Sequence, residues 1–261
     1  GAGFQSCAAS LCTNQQYSGG TFTMTVQHFT NFSTQETPTC GILNSGFTMT
    51  QNLNSSGTCF TLNASDVTLD CAGFTINYSQ SENGNGVQSN GTTGVTVKNC
   101  LIINNNAGSN FSHGINFTNV NNSFVRNNSF SIDGNHSAGI AFKQSNNGSV
   151  LNNTITTYGA GSDKHGVYLR DSSTANVTVA NNTIRTDGSG RGNYGLELLG
   201  NDHRVDGNSI WTNGTSLNAG IDLNDARMIV TNNVISTHGS QDSNYGIYHT
   251  GSNHIVINNS I

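Results

Sequence analysis

Two consecutive segments define a repeat: residues 140–166 read IAFKQSNNGSVLNNTITTYGAGSDKHG, and residues 167–195 read VYLRDSSTANVTVANNTIRTDGSGRGNYG. Each starts after a Gly with apolar–x–apolar, passes through a polar stretch to Val–x–Asn–Asn–x–Ile, and closes in a turn rich in Gly, Ser and Asn. Alternation with a period of two predicts short strands that each bury one face.

The same unit recurs on both sides of this pair. Units of roughly 25–29 residues are too short to bury their apolar faces alone, whereas stacked copies can bury them. The further units occupy residues 87–114, 115–139, 196–220 and 221–246, and a partial unit occupies 247–261. This pattern predicts an all-β, right-handed parallel β-helix (a solenoid), in which coils lie about 4.8 Å apart and equivalent residues touch.

The Asn pair within each unit carries two expectations. A turn between strands favours a residue that tolerates positive φ, and Asn or Gly supplies it. Stacked Asn side chains can also hydrogen-bond from coil to coil as a ladder, and Gly207 is expected to leave a gap in it. The predicted ladder residues are Asn128, Asn153, Asn182, Asn208, Asn233 and Asn259.

The composition excludes several classes of partner. Only 9% of the residues are charged and the net charge is −5. Since Lys and Arg form no cluster, no nucleic-acid partner is expected. No apolar segment is long enough to span a membrane. Because the sequence starts at Gly1 without Met, we expect a mature secreted protein at the cell surface or in the extracellular space.

Cysteines and glycosylation motifs agree with that location. The six cysteines, all within the first hundred residues, predict disulfides of undetermined pairing: Cys7, Cys12, Cys40, Cys59, Cys71 and Cys100. Asn–x–Ser/Thr motifs make the protein a candidate glycoprotein, although an Asn-, Ser- and Thr-rich chain also forms them by chance. The candidate positions are Asn31, Asn54, Asn63, Asn77, Asn90, Asn110, Asn116, Asn121, Asn127, Asn135, Asn147, Asn152, Asn176, Asn181, Asn213 and Asn258.

The two ends of the chain differ from its middle. Residues 1–56 lack the repeat, and we expect them to form a disulfide-containing cap, and a possible subunit-joining segment, for the solenoid of residues 57–261. Alternation over residues 21–26 predicts a strand there. At the other end, Ile261 closes an uncovered coil. Head-to-tail association into a filament is the favoured explanation, with a capping or membrane partner and a truncated chain as alternatives.

The segment VTLDCAGFTI, residues 67–76, is similar to an opening coil of the parallel β-helix repeat proteins that include the NosD-like group. Through these repeats, residues 57–261 resemble the pectate-lyase-like superfamily. The resemblance implies the fold and says little about function, because the superfamily includes lyases, hydrolases, adhesins, phage spikes and structural proteins.

Chemistry in that superfamily usually lies on the first strand of each coil. The outward column there reads Asn116, Ala141, Tyr168, Glu197, Asp222 and Tyr248. Glu197 and Asp222 on neighbouring coils are candidate catalytic carboxylates for a glycosidic bond. Tyr168, Arg170 and Tyr248 are candidate ligand contacts, whereas a solvated strand face is the simpler interpretation of the whole set.

No cofactor or metal site is predicted. The three-aspartate pattern of polygalacturonases and the calcium-binding acidic cluster of pectate lyases are both missing. The NosD resemblance raises copper, but no His–x–His or Met-rich cluster supports it. We therefore interpret the eight histidines as turn and surface residues, and Trp211 as a packing residue.

Three functions follow as hypotheses. The favoured one is an extracellular structural or adhesive protein, a head-to-tail filament subunit in its strongest form, because charge is low and no complete catalytic set is evident. The second is a polysaccharide-processing enzyme, a glycoside hydrolase or lyase, acting on the first-strand face. The third is a carbohydrate-binding surface protein without turnover.

Overall fold

The computed structural model describes residues 12–18, 21–26 and 39–261, which fall into two units divided after Thr39. In the first unit, β1 (Cys12–Ser18) pairs with β2 (Thr21–Val26) as an antiparallel ribbon. The strand predicted from alternation over residues 21–26 is therefore confirmed.

The second unit contains only short strands. The earlier ones are β3 (Gly41–Leu43), β4 (Phe47–Thr48), β5 (Leu53–Asn54), β6 (Phe60–Leu62), β7 (Thr68–Asp70), β8 (Thr75–Asn77), β9 (Val87–Asn90), β10 (Thr96–Lys98), β11 (Leu101–Asn104), β12 (Ile115–Thr118), β13 (Phe124–Arg126) and β14 (Ser129–Ile132). The later ones are β15 (Ala138–Lys143), β16 (Ser149–Leu151), β17 (Thr154–Gly159), β18 (His165–Leu169), β19 (Thr178–Ala180), β20 (Thr183–Gly188), β21 (Tyr194–Leu198), β22 (Arg204–Asp206), β23 (Ser209–Gly214), β24 (Asn218–Leu223), β25 (Ile229–Thr231), β26 (Val234–Gly239), β27 (Asn244–His249) and β28 (Ile255–Ile257).

Every third strand stacks in parallel, which gives three sheets. Sheet 1 runs from β3 to β27, sheet 2 from β4 to β28, and sheet 3 from β5 to β26. Each coil contributes one strand to each sheet in turn, so the predicted right-handed parallel β-helix is confirmed. The parallel pairing begins at β3, so residues 41–54 already belong to the stack. Whether residues 1–56 act as a cap or a joining segment stays a prediction.

The core is built from columns of like residues that point inward from the three sheets. In sheet 2 the column is Leu69, Val97, Val125, Val150, Val179, Val205 and Val230, all fully buried. In sheet 3 it is Ile76, Ile102, Phe130, Ile155, Ile184, Ile210 and Ile235. Burial of each such side chain contributes about 1.5–3 kcal/mol, so the repeat itself supplies the stability.

A glycine marks the corner between sheet 3 and sheet 1 in successive coils. A Cβ atom on Gly166 would collide with the Ile184 methyl group and would lie 2.6 Å from the carbonyl oxygen of Gly195. Gly139 and Gly195 sit at equivalent positions with equivalent crowding. The corner therefore excludes any side chain, and each of these glycines is the second residue of its sheet 1 strand.

This crowding gives a stability prediction. We expect Gly166→Ala to lower the free energy of unfolding by about 2–3 kcal/mol, because the added methyl overpacks the corner against backbone. Gly41→Ala is the matched control, since no atom lies within 4 Å of the place that its new Cβ would take and its backbone is unstrained. Denaturant unfolding of both variants measures the difference, and equal midpoints would show that the corner tolerates a side chain.

Two disulfides join neighbouring coils. Cys40 and Cys59 are bonded just before the paired strands β3 and β6, and Cys71 is bonded to Cys100 just after the paired strands β7 and β10. These are two of the pairings that the sequence left open. Cys7 and the side chain of Cys12 lie outside the described part of the chain.

The two Asn columns between sheets 2 and 3 have separate tasks. The first column lies at the surface with φ near +55°, as at Asn181, and Gly207 occupies its place in one coil with φ of +66°. The second column is buried and forms a continuous ladder, in which the Nδ2 of each Asn donates to the Oδ1 of the next. Because Asn208 belongs to this second column, the gap expected at Gly207 is wrong: Asn182 Nδ2 donates to Asn208 Oδ1 over 2.9 Å.

The candidate glycosylation sites occupy different environments. Asn31 lies outside the described residues. Asn116 lies on sheet 1 with its Oδ1 buried and unpaired, and Asn176 Nδ2 donates to Asn147 Oδ1. Glycosylation stays a prediction at all of them. Among the described residues, no helix has the length and apolarity to cross a bilayer.

Candidate functional site

The outward side of sheet 1, here the first-strand face, carries a run of polar and aromatic side chains. The strand register pairs Tyr168 with Glu197, Glu197 with Asp222, and Asp222 with Tyr248. These four side chains therefore lie on consecutive coils, about 4.8 Å apart along the solenoid.

A second outward column lies beside the first, just before the corner glycines. It contains His113, Ala138, His165, Tyr194, Ala219 and Tyr245. Strict alternation through Gly166 would turn His165 inward, alongside Val167. The corner resets the alternation, so the His165 ring lies 4.5 Å from the ring of Tyr168, centroid to centroid, on the outside of the sheet.

His165 is the centre of the resulting cluster. Its ring stacks on Tyr194 at 5.5 Å, and its Nδ1 lies 3.4 Å from Oε2 of Glu197 on the next coil. That Nδ1 is buried and makes no hydrogen bond within the protein, because the approach to Glu197 has the distance of an ion pair without hydrogen-bond geometry. Burial, with the nearby His113 and Arg170, lowers the pKa of His165 to about 3, so the ring is neutral at physiological pH.

Glu197 is protonated under the same conditions. Its side chain is only 18% exposed. Burial, followed by the charges of Asp222 and Asp163, raises the pKa of Glu197 to about 8. A carboxyl group that keeps its proton at pH 7 can act as a general acid.

Arg170 supplies the positive charge of the cluster. Its guanidinium lies 5.5 Å from the centroid of the Tyr168 ring, and its Nη1 lies 3.4 Å from Nε2 of the buried His113. No ion pair among the described residues includes Arg170. The cluster thus combines one unpaired cation, two neutral imidazoles, two phenols and a carboxylic acid.

The remaining sequence candidates lie towards the last coils. Asp222 is 6% exposed, burial raises its pKa, and its Oδ1 is buried without a hydrogen-bond partner. Tyr248 is 40% exposed, and its ring lies 5.1 Å from that of Tyr245. Asp222 therefore adjoins the cluster, whereas Tyr248 forms a separate exposed aromatic pair on the next coil.

Interpreting all the histidines as turn and surface residues was wrong. His113, His165 and His203 are 2%, 5% and 0% exposed, and the first two face the cluster. The signal that would have found the first two is the residue before the corner glycine, which carries an aromatic ring in four of the units: His113, His165, Tyr194 and Tyr245.

The chain matches one known family. A family model described as a right handed beta helix region matches residues 43–210, which is more than half of the chain. The chain belongs to this right-handed β-helix family. No curated protein sequence matches it.

A solved structure agrees with the family on fold. The periplasmic alginate epimerase AlgG is similar with a TM-score of 0.52 at 14% identity, and the match covers 81% of this chain and 49% of AlgG. A mutant of the same epimerase is similar with a TM-score of 0.48 at 14% identity, over 77% of this chain and 50% of that one. This right-handed β-helix protein therefore spans about half the length of the epimerase, and at this identity the likeness shows the fold alone.

Proposed function

We propose that this right-handed β-helix protein is a polysaccharide-processing enzyme that cleaves glycosidic bonds on the first-strand face, with Glu197 as the general acid. The observation that carries the proposal is the contact between Glu197 and His165, a protonated carboxyl beside a neutral imidazole, on an exposed β-helix face. Clustered groups whose pKa values are strongly shifted are typical of catalytic sites.

Glu197 and three of its neighbours have roles in this scheme. Hydrolysis and elimination both need a proton on the leaving glycosidic oxygen, and Glu197 supplies it. Tyr168 and Tyr194 offer ring faces on which sugars stack. Asp222, one coil further, is placed to serve as the second carboxylate in a hydrolytic route.

The cluster favours the enzyme over the structural or adhesive interpretation. Burial of a carboxyl and two histidines on the outside of a sheet destabilises the fold, and a purely structural face has no need of it. By its name, AlgG acts on a polysaccharide, alginate, which fits a glycan substrate for a protein of similar fold. End-to-end self-association is compatible with this enzyme and stays a prediction.

The two disulfides support a compartment outside the cytosol. Extracellular polysaccharides would be the substrates available there. We propose that the protein is secreted and acts on them at or beyond the cell surface.

The test is a panel of neutral and uronate-containing polysaccharides. New reducing ends report cleavage of either type, and absorbance of an unsaturated product separates elimination from hydrolysis. We expect wild type to cleave at least one member of the panel and Glu197→Gln to leave it intact. A wild type that cleaves none of them would support the carbohydrate-binding or structural interpretation instead.

A further inference from the structure

In one coil of the first-strand face, the two outward positions nearest the corner glycine carry only methyl groups, and the exposed Lys143 ends the same strand. Ala138 and Ala141 occupy the two outward columns of β15, and both are fully buried. Their neighbours along the columns are large or polar, for example His165 beside Ala138 and Tyr168 beside Ala141. The small side chains make a notch in the face, across which side chains from the coils on either side can meet.

His113 and Arg170 meet across this notch. They lie two coils apart, yet Nε2 of His113 and Nη1 of Arg170 are separated by 3.4 Å. Both side chains would normally be kept apart by a larger residue between them. The alanines therefore permit a direct contact between these two nitrogen-bearing side chains.

The tautomer of His113 is fixed by the backbone. The Ala138 N–H donates to Nδ1 of His113 over 3.0 Å, so Nδ1 holds a lone pair. Burial, with the charge of Arg170, lowers the pKa of His113 to about 3, so the ring carries a single proton. That proton is on Nε2, which makes Nε2 a donor.

The approach to Arg170 is then a contact between two donors. A guanidinium has no acceptor, so neither group satisfies the other. Two N–H groups at this separation can instead bind one acceptor oxygen between them. An anionic oxygen suits the place best, because Arg170 has no carboxylate partner among the described residues.

We propose that His113 Nε2–H and Arg170 Nη1–H share a carboxylate oxygen of the substrate, so that the notch over Ala138 and Ala141 is a recognition site for acidic sugars. This inference rests on the proposed function, which places the bound glycan on the same face as Glu197. It identifies the substrate class as glycans that carry a carboxylate. His113 and Arg170 are binding residues in this scheme. Glu197 lies one coil beyond Arg170 and two coils beyond the notch, a separation of about 10 Å along the solenoid.

The tautomer is measured first, by nitrogen-15 NMR of the histidine rings in the full chain. We expect His113 to show a protonated Nε2 and an unprotonated Nδ1 at pH 7. A proton on Nδ1 would overturn the proposal, because Arg170 would then simply donate to Nε2.

The ligand is tested with glucuronate and galacturonate at constant ionic strength, with glucose and galactose as neutral counterparts. We expect a saturable shift of His113 Nε2 with at least one acidic sugar and none with its neutral partner. Arg170→Gln should weaken that binding about tenfold or more, since a charge-assisted bond is lost. Arg126→Gln is the control, because Arg126 is exposed on sheet 2.

Two outcomes would contradict the recognition of acidic sugars at the notch. One is an equal response to acidic and neutral sugars; another is an equal effect of Arg126→Gln and Arg170→Gln, which would indicate general charge attraction. If Arg170→Gln does not fold, Arg170→Lys replaces it and should weaken binding less, since it keeps the charge and loses the planar fork. Binding of these sugars is measured without any cleavage step. A protein that binds glucuronate but cleaves no glycan would therefore refute the proposed function and leave the acidic-sugar site standing.

Discussion

Glu197→Gln is expected to reduce kcat/KM on the cleaved glycan by about 100- to 10,000-fold, the contribution typical of a positioned general acid. Glutamine has nearly the same shape as the protonated side chain and keeps its contacts with His165 and Asp222. It has no acidic proton to give to the glycosidic oxygen. The fold should therefore survive while the chemical step is lost.

The pH dependence of kcat/KM is an independent test of Glu197 as the general acid. Wild-type kcat/KM should fall as pH rises through about 8, because Glu197 then loses the proton that it donates. Rates measured from pH 5 to 10 check this fall. An enzyme that stays fully active at pH 10 would not be using Glu197 as its acid.

The same proton has an effect on stability. In the unfolded chain the Glu197 carboxyl ionises near pH 4.5, whereas in the folded chain it stays protonated up to about 8. Its raised pKa therefore makes wild-type stability decline as pH rises from about 4.5 to 8. We expect Glu197→Gln to match wild type at pH 4.5 and to exceed its free energy of unfolding by about 2–4 kcal/mol at pH 8.

The matched control is Glu82→Gln, the same chemical change on an exposed residue outside the first-strand face. It should leave rates and stability unchanged at both pH values. The lowered pKa values of His113, His165 and His203 cause a separate loss of stability below pH 6.5, which is common to all the variants. Equal rates for Glu197→Gln and Glu82→Gln would reject the catalytic role.

The fold could be predicted because each coil repeats the same pattern of buried apolar residues. A column such as Val150, Val179 and Val205 appears in the sequence as a fixed spacing, and only stacking buries it. The Asn pair showed which part of each unit turns. The spacing did not show that the two Asn residues of each pair have different roles. Asn181 adopts positive φ in the turn, whereas Asn182 is buried and belongs to the ladder.

The site could be predicted only in part. Outward alternation within one strand correctly aligned Tyr168, Glu197 and Asp222, as the strand register shows. His165 was missed because the histidines were assigned to turns and the surface, whereas β18 begins at His165, before the corner glycine. Period-two reasoning holds within a strand and fails where a residue without Cβ lets two sheets meet.

The electrostatics of the site were beyond the reach of the sequence. An outward Glu in a strand is ordinarily solvated, so its pKa would be expected near 4.5. Here Glu197 is covered, and it adjoins Asp222 on the next coil. Those causes depend on which side chains become neighbours across coils, and so they appear only in three dimensions.

Asn182→Ala is expected to lower the free energy of unfolding by about 3–6 kcal/mol, because it leaves several buried polar groups without partners. Asn182 Nδ2 donates to the carbonyl of Val150 and to Asn208 Oδ1, each over 2.9 Å. Its Oδ1 accepts from both the backbone N–H and the Nδ2 of Asn153, over 2.8 and 3.0 Å. Alanine removes these four bonds and the one from Nδ2 to the Ala180 carbonyl over 3.0 Å, in the middle of the ladder.

The adjacent residue provides the control. Asn181 is exposed, with φ of +55°, and Asn181→Gly reproduces the arrangement that the chain already uses at Gly207. That substitution should change stability by less than about 1 kcal/mol, since glycine adopts the left-handed region without strain. Denaturant unfolding of the two variants, one residue apart, separates the ladder from the turn.

Amide hydrogen exchange shows which coils the Asn182→Ala substitution opens. Strand pairing joins each coil only to its neighbours, so the loss at Asn182 should open the structure locally before it unfolds globally. We expect faster exchange at the amide of Asn153, which loses its acceptor, while the amides of Asn128 and Asn208 keep their bonds to Asn153 Oδ1 and Asn233 Oδ1. If Asn182→Ala is no more destabilising than Asn181→Gly and exchange is unchanged, the ladder is a consequence of coil stacking and does not stabilise the protein.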